Sequence, residues 1–334
     1  MTPRDGFDRF SVALQIDNTF LDCNQIVIKF LYPGIMNNSV KTAIDELIAE
    51  RAPWYFEHGM PQLAMRACLN GLLDYKHTVE IANTLVNLSA QQIFTDIGRQ
   101  LSKNVRVSGL QHIPSHGPAL IVCNHPTGIA DGLILHDAIL KRRDDVYFFA
   151  NRDITRVFPQ MESMIAPVEC RPEKRRHTDM RQLMQYVREA TAKGRLGIIF
   201  PSGRLAKRVG LNLVERPWMA SAAMLARKFK LPVVPVHISA RNSFLFYLFD
   251  LIHPTLRDIT LFHETLNKSS FSFDIRIGKP VGWAQLDLRS DIAIEQLKKR
   301  TLELGLTKND SGRRSTAGQI WLPNLRQFGS RIFF

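Results

Sequence analysis

Residues 117–132 read GPALIVCNHPTGIADG and contain the clearest signal for the fold. The apolar run of residues 119–122 is short, uninterrupted and preceded by turn residues, which predicts a strand buried on both faces. Residues 131–139 then have helical character. A buried strand that leads into a helix is the repeating unit of α/β proteins. The segment therefore predicts a strand–loop–helix unit with His125 in the loop.

The same alternation extends on both sides of this segment. The other predicted elements are strands 105–107, 146–149, 196–200 and 232–238, and helices 177–193 and 218–230. Short apolar strands alternating with helices predict an α/β fold with a mostly parallel central sheet, flanked by helices on both faces. Such sheets carry their chemistry beyond the carboxyl ends of the strands. Polar residues at three of these ends, 124–125, 201–204 and 237–241, are therefore expected to form one site.

The 334-residue chain is predicted to have three parts: a helical N-terminal segment (1–103), an α/β domain (104–285) and a C-terminal helix with a basic, aromatic tail (286–334). In the first part, Asn38 and Ser39 can cap a helix that runs to about Arg51. An apolar-periodic stretch follows over about 62–101.

The charge balance favours anionic partners. Forty-four Lys and Arg residues against 31 Asp and Glu give a net charge of +13. Anionic lipid headgroups, phosphorylated substrates such as coenzyme A, and nucleic acids are all compatible with such a surplus. The basic residues are spread along the chain and form no nucleic-acid-binding motif. We therefore expect no nucleic-acid partner.

The sequence also predicts a protein without a transmembrane helix or signal peptide. Four scattered cysteines, Cys23, Cys68, Cys123 and Cys170, form no C-x-x-C pair, as is typical of reduced thiols in an intracellular protein. Residues 1–11 lack the apolar core of a signal peptide. No stretch of about 18 uncharged apolar residues occurs. A peripheral protein at the cytoplasmic face of a membrane is expected.

The C-terminal tail is a candidate for membrane contact. After Asp310 there is no acidic residue, and arginines alternate with aromatic residues. This combination is typical of interfacial segments that meet an anionic membrane surface. A tail folded back onto the core is the alternative. Residues 244–249 are a second possible contact, although burial in the core is favoured there.

His125 and Asp131 could form a catalytic pair. Six residues on a regular helix would place them on different faces, but Pro126 and Gly128 supply turn chemistry that can bring them together. The carboxylate would then fix one imidazole tautomer and leave the other nitrogen as a base. From the spacing alone, a surface loop in which Asp131 merely caps the next helix is the favoured interpretation.

Four blocks in a fixed order add specificity: residues 107–126, 166–171, 200–203 and 231–236. Together they resemble the glycerolipid and lysophospholipid acyltransferase family. Residues 242–280 are similar to its branch called putative hemolysins, which is related to the acyltransferases of ornithine-lipid synthesis. The resemblance implies phospholipid-type biosynthesis: acyl transfer from acyl-CoA or acyl-ACP to a lysolipid hydroxyl. It implies no covalent acyl-enzyme, no cofactor and no metal.

The resemblance also implies roles for individual residues. His125 would be the general base and Asp131 would orient it. The candidate substrate-binding residues are Asn124, Arg171, Ser202, Gly203 and Arg204. Five residues separate His125 from Asp131 where four are common in the family, a longer spacing with an internal glycine that the hemolysin-like branch also has.

The third block departs further from the family pattern. Ser202 stands in place of a glutamate and Arg204 in place of a threonine. We therefore expect an acceptor other than simple lysophosphatidic acid, such as lyso-ornithine lipid or another lysolipid. A catalytically silent lipid-binding or tethering protein on the same fold is the alternative. A hydrolase is disfavoured because the Gly-x-Ser-x-Gly nucleophile motif is missing around Ser202.

Overall fold

The computed structural model describes residues 33–57, 59–169, 177–210 and 212–306. Its helices are α1 (Pro33–Arg51), α2 (Met60–Leu72), α3 (Tyr75–Leu85), α4 (Ala90–Leu101), α5 (Ile129–Leu140), α6 (Asp153–Val157), α7 (His177–Ala192), α8 (Ser221–Lys228), α9 (Phe244–Ile252), α10 (Pro254–Ile259), α11 (Leu261–Leu266) and α12 (Ser290–Glu303). Its strands are β1 (Val105–Ser108), β2 (Ala119–Cys123), β3 (Val146–Asn151), β4 (Ile165–Val168), β5 (Leu196–Ile199), β6 (Lys207–Val209), β7 (Asn212–Val214), β8 (Val233–Ser239) and β9 (Phe273–Ile277).

Within the described ranges, seven strands form one sheet in the order β1-β9-β8-β2-β5-β3-β4. The five strands from β8 to β4 run parallel to one another. β9 pairs antiparallel with β8, and β1 pairs parallel with β9. β6 and β7 form a separate antiparallel hairpin. The predicted α/β fold with a mostly parallel sheet is confirmed.

Strand β2 lies near the middle of the sheet and is fully buried, as the sequence predicts. Ile121 and Cys123 face a core built with α1, α4 and α5. Leu120 and Val122 face a second core built with α7, α8 and α12. Helices therefore cover both faces. A fully buried apolar side chain of this size contributes about 1.5–3 kcal/mol, so β2 is a fixed support for the loop that follows it.

Three local expectations were wrong or incomplete. Helix α1 begins at Pro33, not at Asn38, and proline suits the first turn of a helix because it needs no backbone N–H partner there. Strand β4 was not predicted; it contains Pro167, which an edge strand tolerates. Strand β9 was missed because polar Asp274 and Arg276 alternate with its buried residues.

Arg143 ties together the amino ends of three neighbouring strands. Its guanidinium donates to the Asp145 carboxylate before β3, with both nitrogen–oxygen distances 2.6 Å. It also donates to the carbonyl of Gly117 before β2 at 2.9 Å and to that of Gly194 before β5 at 2.7 Å. A further bond reaches Pro114 O. The side chain is almost fully buried, so these acceptors depend on it.

We expect Arg143→Met to lower the free energy of unfolding by about 3 kcal/mol or more. The substitution leaves buried carbonyl groups without a hydrogen-bond donor and Asp145 without its cationic partner. Urea unfolding followed by circular dichroism measures the change. Arg142→Met is the matched control, since Arg142 is exposed and its Nε donates to Ile113 O; its effect should be about 1 kcal/mol or less. Equal losses in the two variants would contradict the role given to Arg143.

Candidate active site

His125 and Asp131 meet at the carboxyl end of β2. His125 lies in the loop after the strand, and Asp131 lies in the first turn of α5. The His125 Nδ1 atom is 2.9 Å from Asp131 Oδ2. Asp131 is completely buried, whereas 18% of the His125 side chain is exposed. The two groups predicted to form a pair are thus in direct contact, with the histidine on the accessible side.

The loop between them wraps around the Asp131 carboxylate. The backbone N–H groups of Thr127 and Gly128 donate to Oδ2 at 2.9 and 3.0 Å. The Thr127 hydroxyl donates to Oδ1 at 2.5 Å. A buried carboxylate is strongly disfavoured unless such donors surround it. The five-residue spacing is accommodated because Gly128 adopts a φ of +99°, a conformation that favours glycine.

This arrangement settles which imidazole nitrogen can act as a base. Asp131 Oδ2 accepts hydrogen bonds, so the neutral ring of His125 places its proton on Nδ1. The lone pair is then on Nε2. The Phe200 ring, which directly follows β5, stacks on the imidazole at a centroid distance of 4.3 Å. The ring is therefore oriented from two sides with Nε2 as its basic atom.

The backbone of His125 is also fixed. Its N–H donates to Glu215 Oε2 at 3.3 Å, and its carbonyl accepts from Ala206 N at 2.9 Å. Trp218 Nε1 donates to the other Glu215 oxygen at 3.0 Å. Trp218 was predicted to begin a helix, but α8 starts at Ser221 and Trp218 belongs to this loop instead. The hairpin β6–β7 is thereby attached beside His125.

Asn124 connects β2 to β8. Its Nδ2 donates to Ile238 O at 2.9 Å, and its Oδ1 accepts from Ile238 N at 2.7 Å. Both polar atoms of this buried carboxamide are engaged by backbone. The geometry gives Asn124 a positioning role for His125, and its predicted contact with substrate stays a prediction.

The residues predicted from the third block lie in the turn after β5. Ser202 is buried, and its hydroxyl donates to Arg204 O at 2.8 Å. Gly203 has a φ of +60°, and its N–H donates to Phe200 O. The Arg204 side chain is exposed. Because Phe200 stacks on His125, this turn lies at the same sheet edge as the pair. Arg171 lies outside the described residues.

His237 alternates on β8 with Val236 and Ile238, which face the same core as Ile121, so its side chain lies on the other face of the sheet. It pairs with Arg276 across β8 and β9, and its ring packs so closely on Gly305 that an added Cβ there would lie 2.7 Å away. Burial, with the charge of Arg276, lowers the pKa of His237 to about 4. The expected grouping of polar residues at the strand ends therefore holds for β2 and β5 and excludes this histidine.

Several contacts around His125 and Asp131 were not predicted from the sequence. Thr127 carried a weak signal, since threonine beside glycine in a turn often hydrogen-bonds locally. Glu215 and Trp218 carried none, because the contacts of Glu215 with His125 and of Trp218 with Glu215 depend on the path of the hairpin. Among the described residues, no three His, Cys, Asp or Glu side chains are grouped in a way that could hold a metal ion.

Comparison with known proteins finds lipid acyltransferases among the similar proteins. The chain is 27% identical over 194 residues to a lyso-glycine lipid O-acyltransferase of Phocaeicola vulgatus, covering 56% of this chain and 67% of the relative. It is 23% identical over 254 residues to an enzyme of the same name from Bacteroides thetaiotaomicron, covering 73% and 89%. The crystal structure of the 1-acyl-sn-glycerophosphate acyltransferase PlsC from Thermotoga maritima aligns with a TM-score of 0.43 at 16% identity, covering 73% of this chain and 97% of that one.

Residues 104–239 match the family model named Acyltransferase. Over this range the chain is similar to the acyltransferase family. The matched range contains His125, Asp131 and the turn that carries Ser202 and Arg204. The resemblance found in the sequence is thereby confirmed, and the protein is an acyltransferase.

We expect Thr127→Val to slow acyl transfer by this acyltransferase about tenfold, since the lost hydrogen bond to a buried carboxylate is worth about 1.5–3 kcal/mol. The backbone donors to Asp131 remain, so the protein should still fold. Thr127→Ser keeps the hydroxyl and should stay near the wild-type rate. Initial rates of thiol release from an acyl thioester donor check both variants. A valine variant as active as the serine variant would mean that this contact does not matter.

Proposed function

We propose that this acyltransferase moves a fatty acyl group from acyl-CoA or acyl-ACP to the hydroxyl of a lysolipid. The contact between His125 Nδ1 and Asp131 carries the proposal. His125 Nε2 takes the proton of the acceptor hydroxyl while the oxygen attacks the thioester carbonyl carbon. Collapse of the tetrahedral intermediate breaks the C–S bond, and the imidazolium gives its proton to the departing sulfur, which releases a thiol and restores neutral His125. No covalent acyl-enzyme is required.

Asp131 supports this cycle electrostatically. When His125 is protonated, the new positive charge lies next to a buried carboxylate, where the low dielectric strengthens their attraction. The carboxylate does not need to move or to accept the proton, since its own hydrogen bonds already fix it. General-base assistance of this kind contributes about 10²–10⁴ to the rate.

We propose an amino-acid-headed lysolipid as the acceptor. Both relatives named above are lyso-glycine lipid O-acyltransferases. The replacement of the family glutamate and threonine by Ser202 and Arg204 agrees with an acceptor other than lysophosphatidic acid. Arg204 is an exposed cation at the sheet edge that carries His125, and it could pair with the carboxylate of such a headgroup.

We further propose that the hairpin and α9 face an anionic membrane at its cytoplasmic surface. Phe246 and Phe249 of α9 are buried, as favoured from the sequence, but Phe244 and Leu251 are 71% and 73% exposed. Leu248 and Ile252 are exposed as well.

The hairpin continues this surface toward His125. Val209 and Val214 are exposed on it, together with Lys207. The Arg208 guanidinium lies 5.6 Å from the centre of the Tyr247 ring of α9, which joins the two elements. Exposed apolar side chains with nearby cations suit an interface with anionic lipid.

In the part of the chain that the structure describes, no helix is long and apolar enough to span a bilayer. The tail after Asp310 lies outside that part, and its membrane contact stays a prediction.

The reaction is tested by combining purified protein with acyl-CoA and acyl-ACP donors and a panel of acceptors in micelles: lyso-glycine lipid, lyso-ornithine lipid and lysophosphatidic acid. Mass spectrometry identifies the products. We expect O-acylated product that falls by about 10²–10⁴ in His125→Ala. His77→Ala, at a largely exposed histidine, should be unaffected.

The acceptor panel separates the hypotheses. Preference for an amino-acid-headed lysolipid supports the proposed acceptor, and preference for lysophosphatidic acid contradicts it. No product from any donor and acceptor, with a folded protein that binds lipid, would contradict the proposed reaction and favour the silent lipid-binding alternative.

The membrane face is tested by sedimentation with vesicles that contain phosphatidylglycerol. Leu251→Asp should weaken binding about tenfold, because it replaces burial of an apolar side chain with the cost of burying a charge. Leu288→Asp is the control: Leu288 is 89% exposed but lies beside α8, where Arg227 contacts its carbonyl. If Leu251→Asp sediments like the wild type, α9 is not part of the membrane face.

A further inference from the structure

The hairpin β6–β7 holds the backbone of His125 from two sides. Ala206, immediately before β6, donates its N–H to the His125 carbonyl at 2.9 Å. Glu215, immediately after β7, accepts the His125 N–H at Oε2 over 3.3 Å. Both backbone polar groups of the proposed base are therefore bonded to one hairpin, one at each of its ends. None of the four blocks that carry the family resemblance includes Ala206 or Glu215.

The hairpin base, residues 205–206 and 215–219, also contacts both loops of the candidate site. Arg216 Nε donates to Leu205 O at 2.9 Å and joins the two ends of the hairpin. A Cβ added to Gly128, in the loop after β2, would lie 3.3 Å from Leu205 Cδ2. On the other side, Met219 N donates to Pro201 O at 2.9 Å in the turn after β5. The hairpin base therefore has a fixed place between these two loops.

The Glu215 carboxylate is itself held in one orientation. Its other oxygen, Oε1, accepts from the indole Nε1 of Trp218 at 3.0 Å. Trp218 is buried in the core that includes residues of α7, α8 and α12. A side chain locked by packing and by a second hydrogen bond keeps its functional atom in place. Glu215 Oε2 is therefore a preorganised acceptor for the His125 N–H.

Asp131 and Glu215 constrain different parts of His125. The Asp131 carboxylate fixes the imidazole through Nδ1, whereas Glu215 fixes the backbone from which the side chain extends. A displacement of a reacting group by about 1 Å can cost roughly 10²-fold in rate. The position of His125 Nε2 therefore depends on both carboxylates.

We propose that Glu215 is a positioning residue for acyl transfer, which places His125 through its backbone N–H. The proposal rests on the proposed role of His125 as the base. An ionised acceptor makes a stronger hydrogen bond than a neutral one, which suits a contact that holds the base while a proton moves onto and off its ring. In the described contacts Glu215 bonds to the His125 backbone and to Trp218, not to the imidazole. Its loss should therefore lower kcat and leave KM unchanged.

The first test is the kinetics of Glu215→Ala with an acyl-CoA and lyso-glycine lipid, or the acceptor that the panel above favours. We expect kcat to fall about tenfold, because the lost hydrogen bond has an ionised acceptor. KM for both substrates should stay at the wild-type values. Glu295→Ala is the matched control, since it removes an exposed carboxylate from α12; it should leave kcat and KM unchanged. A kcat of Glu215→Ala equal to that of the control overturns the proposal.

Rescue by a neutral acceptor separates positioning from a loss of folding. In Glu215→Gln one oxygen remains for the His125 N–H, but the side-chain N–H₂ faces the Trp218 N–H. Adding Trp218→Phe removes this conflict between two donors. We expect kcat of Glu215→Gln/Trp218→Phe to come within about threefold of Trp218→Phe alone, because the acceptor is weaker but in place. A double variant that folds but is no faster than Glu215→Ala overturns the proposal.

Deuterium exchange tests the contact without substrate. The amide of His125 should exchange about tenfold faster in Glu215→Ala than in the wild type, because its acceptor is lost. Mass spectrometry of peptides that contain this residue measures the rate. Equal exchange in the two proteins overturns the proposal. Absence of acyl transfer by the wild type would instead contradict the proposed function, and the exchange rates distinguish the two failures.

Discussion

The burial of one carboxylate, Asp131, constrains the rest of this site. Taking a carboxylate out of water costs several kcal/mol unless hydrogen-bond donors replace the water. The loop after β2 supplies those donors from Thr127, Gly128 and His125. The N-terminus of α5 adds the favourable end of a helix dipole. The orientation of His125 follows from satisfying the hydrogen bonds of Asp131, and so a stability requirement also orients the proposed base.

The sheet keeps this loop in place from both ends. At the carboxyl ends, Asn124 connects β2 to β8, and Phe200 extends from β5 to stack on His125. At the amino ends, Arg143 joins the approaches to β2, β3 and β5. The proposed reacting groups therefore lie next to rigid, buried strands, while the hairpin and α9 provide the more exposed surface nearby. This division agrees with an enzyme that must hold its base firmly and receive a lipid from outside.

Much of the architecture could be predicted because its signals are local. The apolar runs of β2, β5 and β8 are readable in a few residues, as is the turn that brings His125 to Asp131. Strand β9 and edge strand β4 were missed, since polar alternation and a proline mask them. The contacts of Glu215 with His125 and of Ser243 with Glu264 join residues 90 and 21 positions apart. No local pattern encodes such pairings, which depend on how the hairpin and α9–α11 pack.

Acceptor-dependent thiol release by wild-type protein and by Asp131→Asn measures directly what the His125–Asp131 pair contributes. The asparagine has nearly the same shape, but it lacks the charge that fixes and stabilises His125, and its amide N–H₂ would face the Thr127 and Gly128 donors. We predict thiol release matched by O-acylated product in the wild type and a rate about 10²–10⁴ lower in the variant. Equal rates in the two proteins would show that the His125–Asp131 pair does not carry the reaction.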